Sequence, residues 1–176
     1  PSAAHSGTGY LYLETSGGAT GDADTLYAPS MNLGTGSAAR LLFWYHMYGG
    51  DIGTLSVEVS DNGGASYTSI WSQSGQVQTD ELDPWIQLNT DLTPFMGSTI
   101  NIRVIGSKGT GGSTFAGDLA IDKVEVEVCV SPDIVISEIM YNPPEFGTDS
   151  LEFIEIYNNG PASTDLSNWT FTGVTY

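Results

Sequence analysis

The sequence LLFWYHMYGG, residues 41 to 50, constrains the fold of this chain more than any other stretch. It is an unbroken run of large residues closed by two glycines. In a strand, successive side chains point to opposite faces. Leu41, Phe43, Tyr45 and Met47 then share one face, and Leu42, Trp44, His46 and Tyr48 share the other. Neither face is polar, so the run predicts a central strand covered on both sides, in the heart of a two-sheet sandwich. A helix over the same residues would have no polar side, and the run is short for one.

The surrounding sequence agrees. Tyr10 to Glu14 alternates, with Leu11 and Leu13 on one face. Leu55, Val57 and Val59 alternate up to Asp61-Asn62-Gly63-Gly64, a hairpin signal that returns the chain through Tyr67 to Trp71. Pro84 to Leu88, Thr99 to Ile105 and Leu119 to Val128 read as further strands. In Thr99–Ile105 the isoleucines and Val104 are expected on opposite faces, and Gly106 to Thr114 is expected to be a loop. Short β-branched and aromatic runs punctuated by glycine, serine and threonine read as an all-β sandwich or barrel.

Charge excludes several functions. Arg40, Arg103, Lys108 and Lys123 are the only Lys and Arg residues against 21 carboxylates, for a net charge of −17. Such a chain repels nucleic acid and anionic membranes, which need basic patches. It attracts divalent cations, and carboxylate oxygens suit calcium. Cys129 is the single cysteine, so neither an intrachain disulfide nor a zinc-finger spacing exists. No apolar run is long enough to span a bilayer. The start at Pro1-Ser2-Ala3-Ala4, with neither methionine nor a signal-type pattern, predicts a segment of a larger, multidomain protein.

The strand pattern divides the chain into a first domain over 1–128, a linker over 129–133 marked by Ser131-Pro132, and a second β module over 134–176. No Lys or Arg follows Lys123, whereas carboxylates continue. The second module is too short for a self-sufficient core.

The first domain resembles the MAM family of extracellular adhesive modules. The residues that carry this are Gly9–Glu14, Leu26-Tyr27-Ala28-Pro29, Leu42–Gly49, Gly53–Val57, Trp71 with Gly75, and Gly117–Asp122. The resemblance implies a jelly-roll β-sandwich. The family's paired cysteines are absent here, as in its bacterial relatives, and Lys123 stands where the family has a second acidic residue. The family's N-terminal strand region would precede Pro1, which implies a sandwich edge that is missing or supplied differently. The second segment is similar to the start of a lamin-tail domain, an immunoglobulin-like sandwich, through Ile134–Asn142, Glu152–Asn158 and Asp165–Trp169. Together the two imply a secreted or cell-surface protein of bacterial origin.

In a jelly roll the first and last strands can be neighbours. Glu14, Asp22, Asp24, Asp118 and Asp122 are therefore the candidate ligands of a structural calcium, a site that related sandwich modules often carry. Asp122 leads the set because it interrupts an apolar stretch, where an unpaired carboxylate is costly. His46 is expected to be packed and hydrogen-bonded rather than reactive. No Gly-x-Ser-x-Gly and no phosphate-binding Gly-Lys-Ser/Thr ending occurs. Glu125 and Glu127 alternate with valines and read as a solvated face. Tyr48, Tyr67, Trp71 and Trp85 are the candidate ligand-binding aromatics for stacking on sugar rings, with core packing the competing role of the two tryptophans. The sequence thus predicts a non-catalytic module that contacts an extracellular protein. The alternatives are a carbohydrate-binding module that contacts a glycan, or an accessory domain of a secreted protease or other hydrolase.

Overall fold

The computed structural model describes residues 1–15, 18–110, 117–129, 133–140, 152–160 and 163–172. Among the described residues every regular element longer than a single turn is a strand, and no helix is long and apolar enough to cross a membrane. The chain forms two units, Pro1–Val130 and Ser131–Tyr176.

The predicted central strand is β4, Ala38–Tyr48. It lies inside a sheet of order β1-β9-β4-β7, with β1 at Leu11–Glu14, β7 at Ile86–Asp91 and β9 at Asp118–Cys129. The facing sheet has the order β2-β8-β5-β6, formed by Ala23–Tyr27, Thr99–Lys108, Ile52–Ser60 and Thr68–Ser74. The short β3, Met31–Asn32, also pairs with β8. Every strand pair is antiparallel. This is a two-layer jelly-roll sandwich.

Its core is the set of faces that alternation selects. Leu41, Phe43, Tyr45 and Met47 of β4 meet Leu55, Val57 and Val59 of β5 and Ile100, Ile102 and Val104 of β8. Those two isoleucines and Val104 share the inner face, because they are spaced by two; Ile105 alone turns outward, which corrects the expected split. The strand also continues through Gly106 to Lys108 where a loop was expected, paired with β2 and β5. Residues 111–114 of that expected loop lie outside the described residues.

Two local features shape the sheet with β4. Leu42 stands opposite Glu125 while Trp44 stands opposite Asp122, so β9 carries one extra residue. Lys123 lies in this bulge with φ of 50°, a left-handed conformation that L side chains rarely adopt. At the other end of β4, β7 pairs only from Arg40 to Tyr45. Beyond it the buried Gln78 takes over: its Oε1 accepts from the Met47 amide at 2.7 Å, and its Nε2 donates to the carbonyls of Pro84 and Tyr45 at 3.3 and 3.5 Å.

The outer face of β4 is covered by residues 1–10. The His5 ring stacks on Trp44 at 3.7 Å. Trp85 Nε1 donates to the Ala3 carbonyl at 3.1 Å, and the Ser6 amide donates to Asp122 Oδ2 at 2.8 Å. Tyr10 lies edge-on to Trp85 at 5.5 Å.

In the second unit, β10 (Ile134–Met140) pairs antiparallel with β11 (Phe153–Asn158), with an irregularity between Ile136 and Glu138. Ile136, Ile139, Phe153, Ile156, Trp169 and Phe171 are exposed, and among the described residues no second layer faces this two-stranded sheet. Residues 130–132 of the linker, and Tyr141 and Asn142 of the lamin-tail segments, lie outside the described residues.

Candidate functional site

The candidate calcium ligands divide into two places. Glu14 and Asp118 are direct cross-strand partners on β1 and β9. Burial first, and then the Glu14 charge, push the Asp118 carboxyl above its usual range. Glu14 also lines a cleft of about 420 Å³ with Asp22, Asp24 and Lys108. Asp22 turns its Oδ2 back onto the Ala19 amide at 2.6 Å. Asp122 lies apart: its carboxylate accepts the Ser6 and Lys123 amides and holds the N-terminal segment. Among the described residues no three Asp, Glu, His or Cys side chains approach closely enough to hold a metal ion.

A cation is nevertheless present, and it belongs to the chain. Lys108 donates to the Thr15 carbonyl and forms an ion pair with the buried Asp51 at 3.2 Å. Thr15 in turn donates through its amide to the Gly117 carbonyl at 3.1 Å and through its hydroxyl to the same oxygen. The ammonium thus ties the end of β1 to β8 and to the start of β5. Sequence reasoning missed Lys108, Asp51 and Thr15, because their partners are 57 and 93 residues apart along the chain.

The four candidate aromatics do not share a platform. Trp71 packs inward against Phe43 and Tyr45, at 6.1 and 5.4 Å between ring centroids. Trp85 lies on the opposite side of that sheet, under residues 1–10. Tyr67 carries the Arg103 guanidinium at 3.9 Å over its ring, and Arg103 also pairs with Glu58. Tyr48 is exposed and lines a polar cleft of about 490 Å³ with Gln76, Thr79, Glu81 and Asp118. Pro1, Gly49, Gly50 and Gly117 complete the walls of that cleft.

His46 is packed as expected but not hydrogen-bonded as expected. Its side chain is fully buried, and neither ring nitrogen has a hydrogen-bond partner. Trp85 stands edge-on at 5.8 Å. Desolvation, and then the N-terminal ammonium, hold its pKa below the ordinary value, opposed weakly by the peptide groups of Asp83 and Asp80 and by the Asp83 carboxylate.

Comparison with known proteins decides the family. The MAM domain family (meprin/A5/mu) matches residues 1–130, and the Lamin Tail Domain family matches residues 129–175. This chain belongs to the MAM domain family. MAM domain-containing glycosylphosphatidylinositol anchor protein 1 from Homo sapiens is 34% identical over 67% of this chain, which spans 12% of that protein's length. Two solved structures are similar to parts of the chain. The K1 cleaved adhesin domain of Lys-gingipain from Porphyromonas gingivalis W83 is 18% identical, covers 69% of this chain and 75% of its own, and has a TM-score of 0.49. The module TmCBM61, solved in complex with β-1,4-galactotriose, is 19% identical, covers 70% and 73%, and has a TM-score of 0.48. Membership places the chain among modules of secreted and cell-surface proteins.

Within this MAM domain the buried polar side chains are committed to structure. Thr15 and Gln78 hold backbone groups, Ser60 Oγ accepts the Gly64 amide at 2.9 Å, and Asp51 anchors Lys108. His46 is fully buried, with Trp85 edge-on to its ring.

Proposed function

We propose that the chain is a non-catalytic adhesion module that presents its sandwich to an extracellular protein, as part of a larger secreted protein of bacterial source. The observation that carries this reading is the commitment of Thr15, Asp51, Ser60 and Gln78 to the scaffold, with His46 sealed away from solvent. Catalysis needs such groups in reach of a substrate. Membership in the MAM domain family supports the reading independently. The lone Cys129 supports the bacterial source, since secreted animal domains of this kind lean on disulfides.

Particles coated with the protein test it. They are expected to bind cultured cells, and protease treatment of the cells is expected to abolish binding. Binding that survives protease but is lost on glycosidase treatment favours the carbohydrate reading. That second reading rests on the Tyr48 cleft, where one exposed aromatic ring stands among Gln76, Thr79, Glu81 and Asp118. An aromatic face with convergent polar groups is the chemistry that holds a sugar ring.

Calcium remains part of the proposal as an ion drawn to Glu14 and its cross-strand partner Asp118, with backbone carbonyls or water supplying the remaining oxygens. Carboxylate donors suit that ion, and Glu14 stands directly opposite Asp118 across β1 and β9.

A further inference from the structure

Each Lys and Arg of the chain meets a carboxylate, and burial sets one of these pairs apart. The Lys108 and Asp51 side chains are 13% and 1% exposed, with Nζ 3.2 Å from Oδ2. Those of Lys123 and Glu125 are 46% and 48% exposed, with 3.8 Å between the charges. Water that would hydrate both ions of the first pair is largely excluded. An ion pair taken out of water loses much of its advantage over the neutral amine and acid.

The backbone on both sides of this pair is fixed. Lys108 ends β8 directly opposite Ile52, the residue after Asp51. The Gly109 amide donates to the Asp51 carbonyl at 2.6 Å. A Cβ at position 109 would stand 2.5 Å from the Ile52 carbonyl oxygen, so the two segments approach as closely as glycine allows. The Thr15 carbonyl accepts from Nζ and fixes the other end of the lysine side chain. A nitrogen held in this way against one carboxyl group has the proximity that makes an amine an effective intramolecular nucleophile.

We propose that Lys108 and Asp51 condense, once the domain has folded, into an intramolecular amide that staples the end of β8 to the start of β5. The ion pair is the reactant arrangement. Its ammonium gives one proton to the Asp51 carboxylate, which leaves a neutral amine and a carboxylic acid. The Nζ lone pair then forms the bond to Cγ. A second proton passes from nitrogen to the hydroxyl, the C–O bond breaks with its electron pair on oxygen, and water leaves. One ammonium and one carboxylate give one amide and one water, with no change of oxidation state. Glu14 lines the same cleft as Lys108 and is the carboxylate placed to carry the second proton. That cleft also gives the water its exit. The product keeps one N–H, and the Thr15 carbonyl is already its acceptor. In a chain whose single cysteine permits no intrachain disulfide, this bond closes a loop between residues 57 apart.

Intact-mass measurement of the whole chain, folded and then denatured, tests this. The protein should weigh about 18 Da less than its sequence, the mass of one water lost in the condensation. Lys108→Arg and Asp51→Ala should each weigh their full sequence masses. Proteolysis of the parent should release two linked peptides, one holding Asp51 and the other Lys108. Acetic anhydride in denaturant should acetylate Lys123 and leave Lys108 unmodified. Glu14→Gln keeps both reacting groups and should close at least about tenfold more slowly after folding; an unchanged rate overturns the part given to Glu14. Full sequence mass for the parent, with Lys108 acetylated like Lys123, overturns the proposal and leaves an ion pair. A loss of water that persists in Lys108→Arg, or that maps to other residues, overturns it too.

Discussion

Acid should loosen this domain through His46, and the size of the effect can be worked from its burial. The ring is fully buried without a hydrogen-bond partner, and desolvation holds its folded pKa below the ordinary value of about 6.5. The unfolded chain therefore takes up a proton first. Stability is fully present above about pH 6.5 and falls by about 1.4 kcal/mol per pH unit below it, until the folded pKa is reached. The groups that face the ring come from three segments: the Pro1 ammonium opposes its charging, the Asp83 carboxylate favours it, and the Asp80 peptide adds a little. Asp83 stays ionised throughout this range, because the Thr79 amide and hydroxyl and the Asp80 amide hold its pKa down. Urea denaturation at pH 7.5, 6.5 and 5.5, followed by tryptophan fluorescence, measures the slope. His46→Phe keeps an aromatic ring and removes the titration, so its stability should change less over that interval. At pH 7.5 the same variant should match or exceed the parent by about 1–3 kcal/mol, the cost of leaving buried polar atoms without partners. Parallel slopes for parent and variant, or a magnetic resonance titration placing the folded His46 at or above 6.5, would refute the argument.

Four further outcomes are expected. Lys123→Gly should raise stability by about 1 kcal/mol, since glycine adopts the left-handed conformation without strain; thermal unfolding measures it. Lys108→Met should cost about 3–5 kcal/mol, because it takes away the ammonium that the buried Asp51 is paired with; urea midpoints show it. Gln78→Ala should cost about 2 kcal/mol and expose the Met47 amide to exchange. Calcium at one hundred times its dissociation constant should stabilise the parent by about 2.7 kcal/mol and Asp118→Asn by clearly less; equal melting curves with and without the ion remove calcium from the account.

The faces of β4 were legible because every residue from Leu41 to Tyr48 is large and the strand period is two. What covers its outer face was not. Pro1 to Gly9 is small and polar with no periodicity, and only the folded chain shows His5 on Trp44 and Ala3 bonded to Trp85. His46, expected to be hydrogen-bonded, has no hydrogen-bond partner at either ring nitrogen, and the ring it meets is the edge of Trp85. The acidic set was half legible. Adjacency of the first and last strands brought Glu14 to Asp118, but the side of β9 on which Asp122 falls depends on a register that no local pattern records.

The same register explains why a strained lysine is tolerated. From Leu119 and Ile121, strict alternation would carry Lys123, Glu125 and Glu127 to the core face and Val124, Val126 and Val128 outward. The extra residue at Lys123 reverses the phase, so that Val126 opposes Leu41 and Glu127 reaches Arg40 at 2.8 Å on the outside. Left-handed backbone at a non-glycine residue costs about 1–2 kcal/mol, whereas turning carboxylates into an apolar layer costs several for each. The bulge wins that comparison. It also stands two residues beyond Ile121, where pairing with β1 ends, and Val124 and Val126 beyond it line the cleft that reaches Leu41. If the phase is set by the valines rather than by Lys123 itself, Lys123→Gly should leave the β4–β9 register unchanged. Nuclear Overhauser contacts between Leu41 and Val126 would persist in that variant, and their loss would show that the lysine, not the burial of valine, fixes the edge.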